Sequence, residues 1–192
     1  MNDLALFPLN TVLFPGGRLP LRIFEQRYMT MAKACLRDGS PFGVCAIREG
    51  KEVGDPAVPY EVGTLARIAD WDMPQLGVLQ IVAQGGERFR IVERRAQPDG
   101  LLVGRVELLP EAADSPVADA HRVPVRILQR VIEEQPQLIA EPHRLDSCAW
   151  VSARLIELLP ISLATKQELL ELDDAAERMA RLATLLPKPR PT

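Results

Sequence analysis

The chain has 192 residues, of which 47% are hydrophobic and 26% are charged. This composition is typical of a globular protein and excludes a disordered, collagenous or coiled-coil chain. The formal net charge of −3 argues against a broad nucleic-acid-binding surface, which requires clustered positive charge. No segment approaches the roughly 20 apolar residues that span a bilayer, and the first residues do not resemble a secretory signal. We therefore expect a cytoplasmic protein with no membrane partner.

The cysteines and histidines do not form a recognisable ligand pattern. Three cysteines are odd in number and fit no C-x-x-C spacing, and His121 and His143 are the only histidines. The sequence predicts reduced thiols, no metal site and no cofactor.

Glycine and proline divide the chain into unequal parts. Short apolar segments separated by these residues continue to about residue 110. A helical pattern without glycine follows, since Gly104 is the last glycine in the sequence. We expect a β domain over 1–112, a helical domain over 113–187 and a mobile tail over 188–192.

The β domain contains segments rich in valine, isoleucine and leucine that are typical of strands. Seven are predicted, at 3–7, 19–23, 42–48, 60–70, 77–84, 86–94 and 101–109. The pair Gly85-Gly86 predicts a tight hairpin, because glycine accepts the positive φ of primed turns. One helix is predicted over 24–37, with Phe24 and Tyr28 anchoring it to the sheet and Gly39 as its C-terminal cap.

The second part predicts three or four helices. The first two are expected at about 116–135 and 144–159, and Pro124 must restart or kink the first of them. Ser162 or Thr165 is expected to cap a short helix that ends at Leu172. Asp173 or Asp174 is expected to start the last helix.

One candidate binding segment is the stretch from Asp70 to Pro74, which is predicted to be a loop before a strand. Trp71 and Met73 are adaptable apolar side chains that suit the binding of varied polypeptides. The alternative is that Trp71 folds back onto the edge of the sheet. We take Trp71 and Met73 as candidate polypeptide-binding residues.

A second candidate is an arginine stripe on one predicted strand. Arg88, Arg90 and Arg94 are expected on one strand face beside Phe89, an arrangement that suits RNA. The alternative is a solvent-exposed face on which these arginines alternate with acidic residues.

The sequence offers no convincing catalytic residues. No phosphate-binding glycine loop is present, and Ser162 with Lys166 is better explained as a helix cap beside a solvated lysine than as a dyad. We therefore expect a protein that is not an enzyme.

Several motifs resemble the N-terminal domain of the Lon protease family. The longest are LFPLNTVLFPGG at 6–17 and LPLRIFEQRY at 19–28. GTLARI at 63–68 and GGERFRI at 85–91 are similar to two strands of that domain. The region 150–185 is similar to the helical part of stand-alone bacterial members, so the resemblance covers nearly the whole chain.

The resemblance implies an α+β fold, in which a PUA-like β pseudo-barrel with one inserted helix is followed by a C-terminal α-helical bundle. It also implies a non-enzymatic polypeptide-binding or adaptor module. Its partners would be unfolded or tagged polypeptides and a separate protease or chaperone, since the ATPase and protease modules of Lon are absent from these 192 residues. The alternative function is a PUA-like RNA-binding module.

Overall fold

A computed structural model describes residues 3–186 of the chain. The fold mixes a β-sheet with five α-helices, in agreement with the predicted α+β class. Its contacts define two compact units that divide between Pro110 and Glu111, two residues before the predicted boundary. The predicted tail at 188–192 lies outside the described residues.

The first unit is built on a sheet that closes on itself. Its strands are β1 (Leu4–Leu9), β2 (Arg18–Ile23), β3 (Phe42–Glu49), β4 (Val58–Gln75), β5 (Val78–Ala96) and β6 (Leu102–Leu108). They are hydrogen-bonded in the order β2-β5-β4-β3-β1-β6, and β5 also pairs with β6. Only β1 and β3 run parallel. Within residues 3–186, strand β2 pairs with β5 alone and therefore forms an edge.

One helix, α1 (Gln26–Asp38), packs its apolar side into the core of this unit. Tyr28 stacks on Phe7 with ring centroids 4.0 Å apart. The helix ends at Gly39, whose φ of 63° confirms the predicted left-handed cap. The prediction that Phe24 anchors the helix is wrong. Phe24 precedes α1 and is 55% exposed, so Tyr28 is the anchor and Phe24 is not.

The hairpin predicted at Gly85-Gly86 is wrong, because both glycines lie inside the continuous strand β5. The loop between β1 and β2 crosses the strand here, with Gly16 N–H donating to Gly85 O at 2.9 Å and Gly85 N–H to Gly17 O at 2.8 Å. A Cβ on Gly85 would fall against the carbonyl oxygen of Phe14. The glycine thus permits a close backbone approach and not a turn, and two predicted strands become one.

The second unit is helical over most of its described length. Its α-helices are α2 (Arg122–Glu134), α3 (Cys148–Leu158), α4 (Leu163–Glu171) and α5 (Ala175–Leu185). Pro124 lies in the first turn of α2, where a missing N–H costs nothing. Ser162 caps α4 by accepting the Thr165 N–H, and Asp174 caps α5, so each predicted pair of caps is resolved.

Asp114 organises the start of α3, which the sequence did not indicate. Its carboxylate accepts the Ser147 hydroxyl at 2.7 Å and the backbone N–H groups of Ala149 and Ser115 at 2.9 Å. Ser147 in turn is the N-cap of α3 and accepts the Trp150 N–H at 3.0 Å. Burial raises the pKa of Asp114, but the bonds from Ala149, Ser147 and Ser115 outweigh it and hold the pKa below its ordinary value.

The substitution Gly85→Ala should lower the free energy of unfolding by about 1–3 kcal/mol, because the new methyl group would clash with a backbone carbonyl. Gly86→Ala is the matched control, since its Cβ would meet nothing closer than 3.6 Å and should change stability by less than about 0.5 kcal/mol. Urea unfolding followed by circular dichroism measures both. Equal stability of the two variants would contradict the close approach.

Replacing Asp114 by alanine should cost about 1–2 kcal/mol of unfolding free energy at neutral pH, because the donors of Ser147 and Ala149 at the start of α3 lose their acceptor. Since the pKa is lowered in the folded state, this contribution is present above the unfolded pKa of about 4 and is lost as the pH falls through the folded value. The difference between wild type and Asp114→Ala should therefore shrink in acid.

The control for that measurement is Asp119→Ala, which removes an exposed carboxylate that pairs with Arg122 three residues away. Such a pair contributes little to stability. Urea unfolding of wild type and both variants at neutral and acidic pH gives the comparison. A similar loss in both variants would contradict the capping role of Asp114.

Candidate functional site

Trp71 and Met73 lie on a β-hairpin formed by the distal half of β4 and the start of β5. The predicted loop is wrong: Trp71 pairs with Ile81 of β5, and the hairpin turns at Leu76-Gly77, where Gly77 has a φ of 84°. Trp71 is 55% exposed, Met73 40% and Leu76 97%. We call these three residues the apolar hairpin.

The outer edge of this hairpin has its amide groups occupied. Pairing of β3 with β4 ends at Ala66, so no strand within residues 3–186 covers the edge beyond it. Asp70 accepts the Trp71 N–H and Asp72 accepts the Met73 N–H, each at 2.8 Å. An incoming strand would find these two donors already bonded and two carboxylates beside them, which is a recognised protection of exposed edges.

A shallow depression of about 400 Å³ lies on the three-stranded part of the sheet formed by β2, β5 and β4. The register places Arg22, Gln80 and Asp72 side by side across these strands, so their side chains share one face. Asp70 lies on the same depression. Its lining therefore combines charges of both signs with apolar side chains, among them Trp71.

A second depression, of about 260 Å³, lies beside β2 and is mainly apolar. Its floor includes the buried rings of Phe7 and Tyr28, and Leu21 is partly buried against them. Phe24 and Val53, which are 55% and 56% exposed, stand at its rim. We call this depression the apolar cleft. Sequence reasoning missed it, because it arises where β2 forms the edge of the sheet next to core side chains from distant segments.

The arginine stripe does not form one exposed face. Arg88 is only 3% exposed, and its guanidinium donates to the backbone oxygen of Pro110 at 3.1 Å. Arg90 and Arg94 are exposed, and a register shift in the β5–β6 pairing separates them after Ile91. The expectation fails for Arg88 because strand alternation does not reveal that Leu109 and Pro110, just after β6, bond to Arg88.

The reactive side chains are engaged in structural contacts. Lys166 donates to the backbone oxygen of Glu157 at 2.9 Å, while Ser162 serves as the cap of α4. Burial raises the pKa of Cys45 to about 12 and raises that of Cys35, so both remain thiols at neutral pH. Residues 3–186 contain no group of three acidic, cysteine or histidine residues arranged to hold a metal ion. No helix in that range is long and apolar enough to cross a membrane.

The fold as a whole matches that of Lon N-terminal domains. The crystal structure of a Lon N-terminal domain protein from Xanthomonas campestris superposes with a TM-score of 0.80 and 37% identity, covering 97% of this chain and 100% of that one. The N-terminal domain of Mycobacterium avium complex Lon protease superposes with a TM-score of 0.62 over 95% of this chain and 97% of that one. At 18% identity, the second match shows the fold alone. The architecture is thus that of a Lon-type N-terminal domain.

Sequence comparison defines the family. The family described as ATP-dependent protease La (LON) substrate-binding domain matches residues 3–188, and the chain belongs to it. Lon protease 2 of Myxococcus xanthus is 30% identical over 97% of this chain, and so is Lon protease of Anaeromyxobacter dehalogenans. The match covers 24% and 23% of those proteins, so the chain spans about a quarter of the relatives' length. The predicted family resemblance is confirmed.

Replacing Arg88 by alanine should destabilise the first unit by roughly 2 kcal/mol or more, because it removes a buried guanidinium and leaves the Pro110 carbonyl without its donor. Arg90→Ala is the matched control two residues away and should stay within about 0.5 kcal/mol of wild type. Chemical unfolding of both variants tests this. A larger loss for Arg90→Ala than for Arg88→Ala would overturn the assignment of Arg88 as structural.

Proposed function

We propose that this chain is a non-enzymatic module that binds unfolded or tagged polypeptides and presents them to a separate protease or chaperone in the cytoplasm. Membership of the substrate-binding family of Lon carries the proposal. The curated relatives are whole proteases, and this chain corresponds to about a quarter of each. Recruitment is the part of their work that a substrate-binding domain would perform alone. We also assign the closed sheet to the PUA-like pseudo-barrels and the second unit to helical bundles.

The apolar hairpin is the binding surface we assign to this activity. Trp71, Met73 and Leu76 expose large apolar side chains within a few residues of one another on one hairpin. Tryptophan and methionine bury much apolar area and adapt to different partners, which suits clients that share only exposed hydrophobic segments. Because Asp70 and Asp72 occupy the outward N–H groups of this hairpin, a client would contact its side chains and not its main chain.

The double substitution Trp71→Ser with Met73→Ser should weaken binding of an unfolded protein by more than tenfold. Each apolar side chain buried on binding contributes about 1.5–3 kcal/mol, and 1.4 kcal/mol corresponds to a factor of ten. The measurement is fluorescence anisotropy of a labelled, permanently unfolded protein titrated with the full chain at low and moderate salt. Affinity of the wild type should change little with salt.

The matched control replaces Val92 and Leu108 by serine, because they are also exposed apolar residues of the same sheet, at 39% and 56%. This control should keep affinity within about twofold of wild type, since neither residue lies on the assigned surface. Absence of saturable binding by the wild type would overturn polypeptide recruitment. Equal losses in the two double variants would overturn the assignment to the apolar hairpin.

The alternative function, RNA binding, now depends on Arg90 and Arg94, since Arg88 is buried. Affinity for RNA would fall steeply with salt, because binding releases condensed counterions. The same titration with labelled single-stranded RNA distinguishes the two functions. Tight, salt-sensitive RNA binding that is lost in an Arg90→Ala, Arg94→Ala variant would favour the alternative.

A further inference from the structure

The outer edge of β2 presents unpaired main-chain groups. Strand β2 pairs with β5 only, in a register that places Pro20 opposite Val82 and Leu21 opposite Ile81. Proline has no N–H, so the hydrogen-bonded pair is Leu21 with Ile81, and the main chain of Pro20 faces away from β5. Because the direction alternates along a strand, the main-chain groups of Arg18 and Arg22 face outward too. This edge therefore offers two N–H donors and three carbonyl acceptors.

The apolar cleft lies directly beside that edge. Residues 19–23 all contribute to its lining, together with the stacked rings of Phe7 and Tyr28. Leu19 and Leu21 are partly buried against the core from the same side of the strand. Side chains of a strand placed next to β2 would alternate, with every second one entering the cleft. An extended segment with apolar residues two apart therefore fits the cleft.

Two arginines on this edge supply a charge preference. Arg18 and Arg22 are exposed, alternate along β2 with the partly buried Leu19 and Leu21, and form no ion pair within residues 3–186. Arg22 also borders the apolar cleft. The acidic residues at the cleft are engaged elsewhere, since Glu25 pairs with Arg27 at 2.8 Å and Glu52 accepts the Asn10 N–H. An added strand with carboxylates opposite Arg18 and Arg22 would complement these charges.

The edge of β4 differs from the edge of β2. At β4 the outward amides of Trp71 and Met73 are bonded to aspartate oxygens. At β2 the outward amides belong to arginines, whose side chains carry no acceptor. Of these two edges, β2 alone combines outward donors, an apolar cleft and unpaired charge.

We propose that β2 binds an extended segment of an unfolded polypeptide by strand addition. Opposite residues 18–22, the segment would carry in order an acidic residue, an apolar residue, any residue, a second apolar residue and a second acidic residue. Its main chain would bond to the outward groups of Arg18, Pro20 and Arg22, and its apolar side chains would enter the cleft. Because Pro20 supplies no central donor, the added strand is held by an interrupted ladder and is released readily. The inference rests on the proposed function and specifies the segments that would be recruited.

The test uses a short fluorescein-labelled peptide with glutamate, leucine, alanine, leucine and glutamate at its centre, titrated with the full chain. Two further peptides carry one N-methyl group, on the alanine amide or on a leucine amide. Alternate amides of an added strand point toward β2, so one methyl group should reduce affinity about tenfold and the other should have little effect. If the peptide binds antiparallel to β2, methylation of the alanine amide lowers the affinity. If it binds parallel, methylation of the leucine amide lowers the affinity. Equal effects of the two methyl groups would overturn strand addition.

Charge reversal provides the second arm. Arg18→Glu and Arg22→Glu should each weaken the glutamate peptide about two- to fivefold and strengthen a peptide in which lysines replace the glutamates. Arg126→Glu, at an exposed position of α2, is the matched control and should change neither affinity. If the control shifts affinity as much as Arg22→Glu, the charge preference is overturned.

The two proposals fail in different ways. If the unfolded protein binds while neither N-methylation nor charge reversal changes the peptide affinity, strand addition at β2 is excluded and recruitment through the apolar hairpin stands. If neither the unfolded protein nor the peptide binds, both proposals are excluded. Loss of peptide binding in the Trp71→Ser, Met73→Ser variant, with charge reversal silent, would place the peptide on the apolar hairpin and overturn the β2 site.

Discussion

The continuity of β5 is the constraint on which the first unit depends. This one strand pairs with β2, β4 and β6, so it both closes the sheet and carries its edge strand. Gly85 makes the continuity possible, because the loop between β1 and β2 crosses where a side chain would otherwise stand. The crossing directly precedes β2, whose first residue, Arg18, pairs with Gln84. The hairpin segment that bears Trp71 and the strand beside the apolar cleft therefore both depend on pairing with β5.

Local chemistry made much of the fold predictable, and it failed where one residue type serves two purposes. Gly39 caps α1 as expected, since its position follows an apolar helical stripe. The pair Gly85-Gly86 is typical of a turn, yet Gly85 accommodates the loop between β1 and β2, which is distant in sequence. The span from Asp70 to Pro74 is polar enough to suggest a loop, but pairing with β5 overrides the low strand propensity of aspartate.

The candidate site was predictable in part for a related reason. Trp71 and Met73 stand out in the sequence as adaptable apolar side chains beside two aspartates, and the structure leaves them exposed. The buried state of Arg88 depends on the approach of Pro110, which strand periodicity does not encode. The apolar cleft arises from the order of the strands, and strand order follows from pairings between distant segments and not from any local motif.

If the chain gathers unfolded polypeptides as we propose, the aspartate oxygens on the edge of β4 have a consequence for that function. Such chains are rich in segments that stack into cross-β assemblies, and an open strand edge would act as a template for their growth. Asp70 and Asp72 occupy the amides that the next chain would need, so the hairpin displays tryptophan and methionine without seeding a growing sheet. On the proposed function, these two side chains keep the hairpin from templating a sheet, while strand addition is confined to the edge of β2, where Pro20 interrupts the ladder.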